Sequence, residues 1–372
     1  MLKVGITGQN GFIGTHLFNS IGLLKDEFER VEFEKSFFEE KNKLELFVEK
    51  CDVIIHLAAV NRHENANFIH DTNINLVEKL ICALRQTNSK AHIIFSSSTQ
   101  EEKENLYGKS KTTCRELLTN WAKSSGGKFT GLIIPNVFGP FGKPNYNSVV
   151  ATFCYKLIKN ENPKIEVDSL MNLIYVGELT DIIIEKIRNC EGDPKINIPG
   201  TSEITVSNML NKLTYFKEQY IDNGIIPKLE NYFEINLFNT FRSFIDLNNF
   251  FPRKYIKHLD YRGCFVEVIK LGVGGQISFS TTDPGITRGN HFHTRKIERF
   301  SVIQGKALIQ LRRIGDDKIY DFYLNAEEPA YVDMPIWYTH NIKNIGDDIL
   351  YTIFWINEFY DENNSDTYFE NV

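Results

Sequence analysis

The sequence predicts an α/β domain with a doubly wound parallel sheet, followed by an all-β domain. Three observations support this. With 372 residues, the chain exceeds the usual size of a single core. In its first part, largely apolar runs alternate with helical patterns, which is typical of parallel sheets covered on both faces. From about residue 250, short β-rich runs are separated by turn residues. We place the boundary after residue 245, giving domains of 1–245 and 246–372.

The first part begins with a strand, a glycine-rich turn and a helix. The run Lys3–Thr7 precedes Gly8-Gln-Asn-Gly11-Phe-Ile-Gly14, and a helical pattern continues to Leu24. Such glycines permit a tight turn and a close approach of the backbone to a pyrophosphate, while the helix N-terminus supplies free N–H groups. A simple glycine turn is the alternative, but the flanking strand and helix are the context that dinucleotide binding requires. The predicted contacts are Gly8, Gly11, Phe12, Ile13 and Gly14.

Two further apolar runs predict buried strands of the same sheet. We interpret Asp52–Ala59 as the fourth strand and His92–Ser98 as the next, with a helix over Asn75–Arg85 between them. Ligands of such sheets bind beyond the carboxyl ends of the strands. The serines at positions 96 to 98 lie at such an end.

Tyr107 and Lys111 predict an acid–base pair at the head of a helix, because residues four apart share a helix face. A nearby ammonium group is expected to lower the phenol pKa, so that the tyrosine can exchange a proton near neutral pH. A serine hydroxyl would hold the substrate oxygen. Tyr-x3-Lys alone is common by chance, but after the glycine turn and the serine strand it indicates a catalytic set of Ser98, Tyr107 and Lys111.

These segments resemble the extended short-chain dehydrogenases/reductases, Rossmann-type enzymes that act on nucleotide sugars. The resemblance covers about residues 1–245 and includes Pro135–Pro140 and Asn172–Val176. It implies a substrate contact from Asn136 and dinucleotide contacts from a set of five residues. These are Leu57, Ala58, Ala59, Tyr107 and Lys111. Two features depart from the family: Tyr107 follows Ser98 by only nine positions, and Gly177-Glu178 stand where an aspartate is usual.

The residues leave the coenzyme open, because the second strand is hard to place within Glu29–Lys35. NAD enzymes usually carry an acidic residue at the end of that strand, which holds the ribose 2′-hydroxyl. Glu32 or Glu34 could serve in this way, whereas Arg30 or Lys35 could meet the 2′-phosphate of NADPH. The family resemblance of the whole chain, given below, favours NADPH.

The second part predicts a sandwich or barrel of short strands. The β-rich runs are Cys264–Leu271, Gln276–Thr281, Arg299–Gln304, Ala307–Arg312, Ala330–Asp333 and Ile349–Trp355.

Four residues of this part predict a metal site: His291, His293, Glu298 and His340. Histidines two apart on one strand point to the same face, and a carboxylate and a third histidine from other strands can complete the set. Three imidazoles and one carboxylate suit Zn²⁺, Fe²⁺, Mn²⁺, Co²⁺ or Ni²⁺. Zinc is our prediction, although the residues do not select the metal.

The spacing of these four residues resembles that of jelly-roll cupins. Gly285–Gly305 fits G-x5-H-x-H-x4-E-x6-G, and Pro335–Asn344 fits P-x-G-x2-H-x3-N apart from Trp337 in the glycine position. This substitution puts the shape of the pocket in question, but not the ligand set.

A cupin joined to a nucleotide-sugar reductase resembles a family of bifunctional capsule-polysaccharide enzymes. The resemblance implies two steps on a UDP-2-acetamido-2,6-dideoxy-hexos-4-ulose, toward UDP-N-acetyl-L-fucosamine. The cupin would epimerise C3, and the reductase would then reduce the C4 ketone with NADPH to a UDP-2-acetamido-2,6-dideoxy-L-talose. Tyr338 is a candidate for the proton transfer at C3, with an aromatic wall as the alternative.

Three other functions compete with this prediction. A nucleotide-sugar 4-epimerase would keep its NAD tightly bound and use the cupin only for assembly. A 4,6-dehydratase usually needs an Asp-Glu pair where this chain has Thr99-Gln100. A sugar-sensing protein with a vestigial site would need neither the complete Ser–Tyr–Lys set nor the complete set of metal ligands.

Composition indicates a cytoplasmic metabolic enzyme. The net charge of −6 disfavours nonspecific binding to nucleic acid. None of the six cysteines forms a Cys-x-x-Cys pair, which is typical of reduced, packed cysteines. There is no leader pattern and no apolar run of about 18 residues, so we expect no membrane association. Both predicted domain types often form homodimers, which is therefore the expected assembly.

Overall fold

The computed structural model describes residues 1–261 and 263–372. Two compact units are present. The first comprises residues 1–152 and 165–206, and the second comprises residues 153–164 and 207–372. The helices are α1 (Phe12–Gly22), α2 (Lys41–Lys50), α3 (Ala66–Gln86), α4 (Leu106–Ser125), α5 (Val149–Ile158), α6 (Val176–Asn189), α7 (Val206–Phe216), α8 (Tyr232–Arg242) and α9 (Leu247–Phe250). None of the described helices combines the length and apolarity that a membrane span requires.

The first unit is built on a six-stranded parallel sheet of order β2-β1-β3-β4-β5-β8. A smaller sheet of order β6-β7-β9 accompanies it. The strands are β1 (Leu2–Thr7), β2 (Phe28–Val31), β3 (Val53–His56), β4 (His92–Ser98), β5 (Phe129–Ile134), β6 (Asn136–Phe138), β7 (Leu170–Tyr175), β8 (Ile196–Asn197) and β9 (Ser202–Thr205).

Successive residues of the central strands enter two separate cores. Ile54 and Ile93 pack in one core with side chains of α2, α3 and α4. Ile55 and Ile94 pack in the other with side chains of α1 and α6. Because both faces of the sheet are covered by helices, the central strands are apolar on both sides, as the sequence predicts.

The second unit contains two five-stranded antiparallel sheets, of order β10-β18-β15-β20-β13 and β17-β16-β19-β14-β21, and a separate hairpin β11–β12. The strands are β10 (Arg253–Lys254), β11 (Lys257–Asp260), β12 (Gly263–Val266), β13 (Gln276–Thr282), β14 (Thr287–Phe292), β15 (Glu298–Gln304), β16 (Lys306–Arg313), β17 (Ile319–Asn325), β18 (Ala330–Met334), β19 (Tyr338–Asn344), β20 (Leu350–Ile356) and β21 (Tyr368–Phe369).

A buried ion pair joins β15 and β18 of the first sheet, and Tyr220, which follows α7 in the chain, bonds to it. Arg299 Nε donates to Asp333 Oδ1 at 2.7 Å, and both side chains are almost fully buried. The Tyr220 hydroxyl donates to Asp333 Oδ2 at 2.6 Å. Since every charge has a partner, the desolvation cost of the pair is offset.

The predicted fold class, an α/β domain followed by an all-β domain, is confirmed. Two details were wrong. Asp52–Ala59 contains the third strand and not the fourth, because the preceding segment forms a 3₁₀ turn and α2 instead of a strand. The run from 264 to 271 is a strand only to Val266.

Candidate active and metal sites

The glycine turn lies between β1 and α1, beside the end of β3. Gly8 has a φ of 77°, and a Cβ at this position would lie 2.9 Å from the amide nitrogen of Ala58. A Cβ on Gly14 would collide with the Gly8 carbonyl oxygen. Gly11 caps α1, so Phe12 and Ile13 are its first two residues, and Leu57 donates its N–H to Thr7. The turn thus forms a backbone cradle at a helix N-terminus, which fits a dinucleotide pyrophosphate.

Helix α4 positions Tyr107 and Lys111. Its N-terminus is fixed by Asn105, whose side-chain oxygen accepts from Gly108 N at 2.7 Å. Lys111 Nζ is buried, donates to the Ser96 carbonyl at 2.8 Å and lies 5.7 Å from the centroid of the Tyr107 ring. Ser98 ends β4, and its hydroxyl accepts from Gln100 N at 3.2 Å. Lys111 is therefore held between the serine strand and the tyrosine.

Burial changes the protonation expected of this pair. It raises the pKa of Tyr107 to about 12 and lowers the pKa of Lys111 to about 8. The expectation that the ammonium group lowers the phenol pKa was wrong for this structure, because desolvation of the phenolate is the larger effect. Tyr107 is consequently a protonated phenol at neutral pH, which is the form that can donate a proton.

The remaining predicted positions of the first unit lie near the ends of strands. Asn136 is the first residue of β6 and is exposed. Glu178, in the segment that departs from the family pattern, accepts from Tyr175 N at 3.2 Å and caps α6. This contact gives the substituted residue a structural role at the start of the helix.

Sequence reasoning could not place the second strand, which the structure shows to be β2. Glu32 follows its last residue, and Glu32 Oε2 accepts from Gln9 Nε2 at 2.9 Å. The other end of the same amide, Gln9 Oε1, accepts from Phe33 N at 3.0 Å. The acidic side chain of Glu32 is thereby hydrogen-bonded to a residue of the glycine turn.

In the second unit, the four predicted ligands come together between the two sheets. His291 lies on β14, Glu298 begins β15, and His340 lies on β19 directly opposite His291. His293 follows the end of β14. One nitrogen or oxygen from each residue lies within 4.8 Å of those of the others.

The chemistry of these side chains fits a metal ion. Three of the atoms are buried without a hydrogen-bond partner among the described residues: His293 Nε2, Glu298 Oε2 and His340 Nε2. Both nitrogens approach Glu298 Oε2 to 3.2 Å without alignment for a hydrogen bond. Buried polar atoms are rarely left unpaired, and lone pairs converging on one point are typical of metal ligands.

Asp366, whose role sequence reasoning missed, supports this cluster from the C-terminal segment. Its carbonyl oxygen accepts from His293 Nδ1 at 2.5 Å, which leaves His293 Nε2 as the nitrogen facing Glu298. Its carboxylate is buried and accepts four hydrogen bonds from the turn that follows His293. They come from Thr294 N, Thr294 Oγ1, Arg295 N and Lys296 N, at 2.6–3.1 Å. Asp366 lies 73 positions after His293, so only the folded structure shows that the two residues are in contact.

Trp337 occupies its glycine position in the left-handed conformation, with a φ of 61°. Its ring is buried and stacks on Phe292 with centroids 5.6 Å apart. The backbone N–H of Trp337 donates to the His293 carbonyl at 2.7 Å. The tryptophan therefore packs behind the ligand strand and holds His293 by its backbone.

Tyr338, the predicted proton-transfer residue, lies two positions before His340 on β19, so the two side chains share a face of the strand. Burial raises the pKa of Tyr338 to about 12, and its ring lies 6.3 Å from that of Tyr320. The assigned roles of Tyr338 and of the other site residues stay predictions.

The fold and the two sites define a class of protein: a dinucleotide-binding α/β enzyme that carries a second, all-β domain with a histidine–glutamate cluster. The chain belongs to the NAD dependent epimerase/dehydratase family, whose model matches residues 4–198. The model described as "Polysaccharide biosynthesis C-terminal domain" matches residues 258–368.

Comparison with known proteins extends this likeness over the whole chain. A Pseudomonas aeruginosa protein named UDP-2-acetamido-2,6-beta-L-arabino-hexul-4-ose reductase is 32% identical, over 99% of this chain and 98% of its own. The crystal structure of the capsular polysaccharide assembling protein CapF from Staphylococcus aureus is 34% identical, covers all of both chains and has a TM-score of 0.63. The predicted resemblance to bifunctional capsule enzymes is confirmed.

A more distant likeness concerns the fold alone. The UDP-N-acetylglucosamine 4-epimerase of Bacillus cereus is 18% identical over 58% of this chain and 82% of its own, with a TM-score of 0.50.

Proposed function

We propose that the protein is a bifunctional nucleotide-sugar enzyme that epimerises C3 and reduces C4 of a UDP-2-acetamido-2,6-dideoxy-hexos-4-ulose. The observation that carries the proposal is the end-to-end match to a reductase of such a sugar, in a chain that also carries both complete residue sets. The product would be a UDP-2-acetamido-2,6-dideoxy-L-talose, a precursor of UDP-N-acetyl-L-fucosamine. Epimerisation must come first, because the C3 proton is acidic only while C4 is a ketone.

The proposed reduction uses the first unit. When bound, a reduced nicotinamide coenzyme would supply the hydride. The resemblance predicts NADPH, and NADH would supply a hydride in the same way. Tyr107 would give its phenolic proton to the C4 oxygen, since burial keeps it protonated. Lys111 would stabilise the resulting phenolate and hold the nicotinamide ribose, and Ser98 would orient the ketone. Asn136 is proposed as a further substrate contact.

The proposed epimerisation uses the cluster of the second unit. His291, His293, Glu298 and His340 would hold one divalent metal, with zinc as the proposed ion. When bound, it would supply Lewis acidity next to the sugar oxygens. Tyr338, which lies on the same strand as His340, would exchange the C3 proton. The division at residues 245/246 and a homodimeric assembly complete the proposal.

Two substitutions test the division of labour. Tyr107→Phe should lower oxidation of the reduced coenzyme by about 10²- to 10⁴-fold, because the proton donor is lost, yet leave solvent deuterium exchange at C3. His291→Ala should abolish this exchange and leave the reduction of a supplied 3-epimerised ketone. NMR in D₂O and coenzyme absorbance report the two steps.

Exposed Tyr232, changed to phenylalanine, is the matched control and should affect neither step. Loss of both steps in Tyr107→Phe would contradict the proposal of two separate sites. Turnover without net coenzyme consumption would instead indicate a 4-epimerase with bound NAD.

A further inference from the structure

We infer that the ion pair between Glu101 and Arg115 positions Ser98 against Tyr107 for reduction of the ketone. Glu101 and Arg115 are positioning residues, because they act through Ser98 and not on the substrate. This role rests on the proposed reductase function and extends it beyond the set of Ser98, Tyr107 and Lys111. Since Tyr107 follows Ser98 by only nine positions, the connection between them has to form a tight turn.

This connection begins as a 3₁₀ turn, Thr99–Glu102, directly at the end of β4. The hydroxyl of Ser98 accepts from Gln100 N at 3.2 Å, so the turn sets the direction of the Ser98 side chain. The side-chain oxygen of Gln100 accepts from Asn105 Nδ2 at 3.2 Å, and Asn105 caps α4. The orientation of Ser98 therefore depends on where the turn lies relative to the helix that carries Tyr107.

Glu101 fixes the turn through a buried carboxylate. Arg115 donates to it twice, from Nε to Oε1 at 3.0 Å and from Nη2 to Oε2 at 2.8 Å. Glu101 Oε1 also accepts from the hydroxyl of Ser97, the residue before Ser98 on β4. Only 5% of the Glu101 side chain and 13% of the Arg115 side chain are exposed, so solvent screens the pair weakly. The turn is thus bonded to both the strand and the helix.

The Glu101 carboxyl group is ionised at neutral pH. Burial by itself would raise its pKa, but hydrogen bonds from Arg115 and Ser97 outweigh this effect and hold the pKa below its ordinary value. Bidentate hydrogen bonds between charged groups are stronger and more directional than neutral ones. The pair can therefore maintain one geometry, which an exposed pair of flexible side chains does poorly.

Arg115 belongs to the same face of α4 as the proposed catalytic residues. Tyr107, Lys111 and Arg115 are spaced four apart, so their side chains follow one another along the helix. Lys111 Nζ donates to the Ser96 carbonyl at 2.8 Å, one turn before Arg115 makes its ion pair. The stem of Arg115 passes over Gly131 of β5, where an added Cβ would lie 2.9 Å from Arg115 Cδ. Two successive turns of the helix are thus tied to β4 and to the turn that continues it.

Loss of the ion pair would release the turn that directs the Ser98 hydroxyl. A misplacement of about 1 Å can cost about 10²-fold in rate, because the hydrogen bond to the reacting oxygen is no longer aligned. The glycine turn lies between β1 and α1, on another strand of the sheet. We therefore expect a fall in kcat for ketone reduction without a change in the Kd of the coenzyme.

The test is a double-mutant cycle in the full-length protein, with NADPH and a supplied 3-epimerised ketone. Glu101→Gln keeps the shape of the side chain and removes its charge, and it should lower kcat by about 10- to 100-fold. Ser98→Ala removes the hydroxyl that the pair orients. In the Ser98→Ala background, Glu101→Gln should lower kcat by less than about twofold, because residues that act as a unit are not additive. Calorimetric titration should give the same Kd for NADPH in all four proteins.

Glu27→Gln is the matched control. Arg188 holds Glu27 in the same bidentate way, at 2.7 and 2.8 Å, but 45% of each side chain is exposed. Glu27 precedes β2 and so lies at the amino end of the sheet, where its loss should leave kcat unchanged. If Glu101→Gln does not fold, Ser97→Ala removes one bond to the same carboxylate and should lower kcat by about 2- to 10-fold, only while the Ser98 hydroxyl is present.

An unchanged kcat in Glu101→Gln would overturn the inference. An equal loss with and without the Ser98 hydroxyl would also overturn it, since this is the result of general damage to the fold. Weaker binding of NADPH would have the same meaning, because the pair would then act through the coenzyme site. Wild-type protein that binds NADPH but reduces no keto-sugar would overturn the proposed function, and the positioning role with it.

Discussion

Replacement of Asp366 by asparagine is the sharpest test of how the metal cluster is supported. The substitution keeps the size of the side chain and removes its charge. One asparagine oxygen could still accept from Thr294, but the amide nitrogen would then face the N–H groups of Arg295 and Lys296. Two buried donors would lose their acceptor.

The magnitude follows from those two bonds. Each hydrogen bond to a buried charged group contributes about 1.5–3 kcal/mol, so Asp366→Asn should lower the free energy of unfolding by roughly 3–6 kcal/mol. For a unit of this size, that corresponds to a fall in Tm of about 6–24 °C. The substitution keeps the Asp366 carbonyl that accepts from His293, but it loosens the turn that directly follows this ligand, so affinity for Zn²⁺ should fall by about 10- to 100-fold.

Urea unfolding and competition with a chelating dye measure the two effects. Thr367→Ala is the control, since Thr367 is exposed and its hydroxyl bonds only the Ser365 carbonyl. If Asp366→Asn unfolded within about 1 kcal/mol of this control and bound Zn²⁺ equally well, the reasoning from the four contacts would be refuted.

Three further predictions concern other parts of the chain. The kcat/KM for ketone reduction should fall as pH rises through about 8, where Lys111 loses its proton, and Lys111→Arg should remove this fall. Trp337→Gly should relieve about 1–2 kcal/mol of backbone strain but lose about 3–5 kcal/mol of buried packing, so calorimetry should show net destabilisation. His92 is buried, and its pKa is lowered to about 4, so the unfolded chain binds a proton that the native chain does not as pH falls below 6.5. His92→Gln should therefore remove about 2–3 kcal/mol of the stability loss between pH 7 and 4.5, measured by urea unfolding, and an unchanged loss would contradict this.

The sequence was sufficient to predict features that a local pattern specifies through a single physical requirement. Apolar runs such as Val53–Ile55 are typical of parallel strands that are covered on both faces, and a side chain at glycine positions 8 or 14 would clash with backbone. The spacing of His291, His293, Glu298 and His340 was equally readable, because strands present alternate residues to one face.

Other features depended on contacts between distant residues, which local patterns do not contain. The second strand was ambiguous among charged residues until its pairing with β1 placed Glu32 at the sheet end. The pKa of Tyr107 was expected to fall because of Lys111, but the depth of burial, which spacing does not report, raises it.

The sequence by itself determined the classes of the two domains and the identities of the metal-ligand candidates, because periodicity and spacing encode them directly. Only the tertiary structure decided how those ligands are held and which charge lies beside the glycine turn. Asp366 reaches the turn after His293 from the far end of the chain, and Glu32 reaches Gln9 across the sheet edge. Long-range hydrogen bonds of this kind depend on the folded path of the backbone, and no short stretch of sequence specifies them.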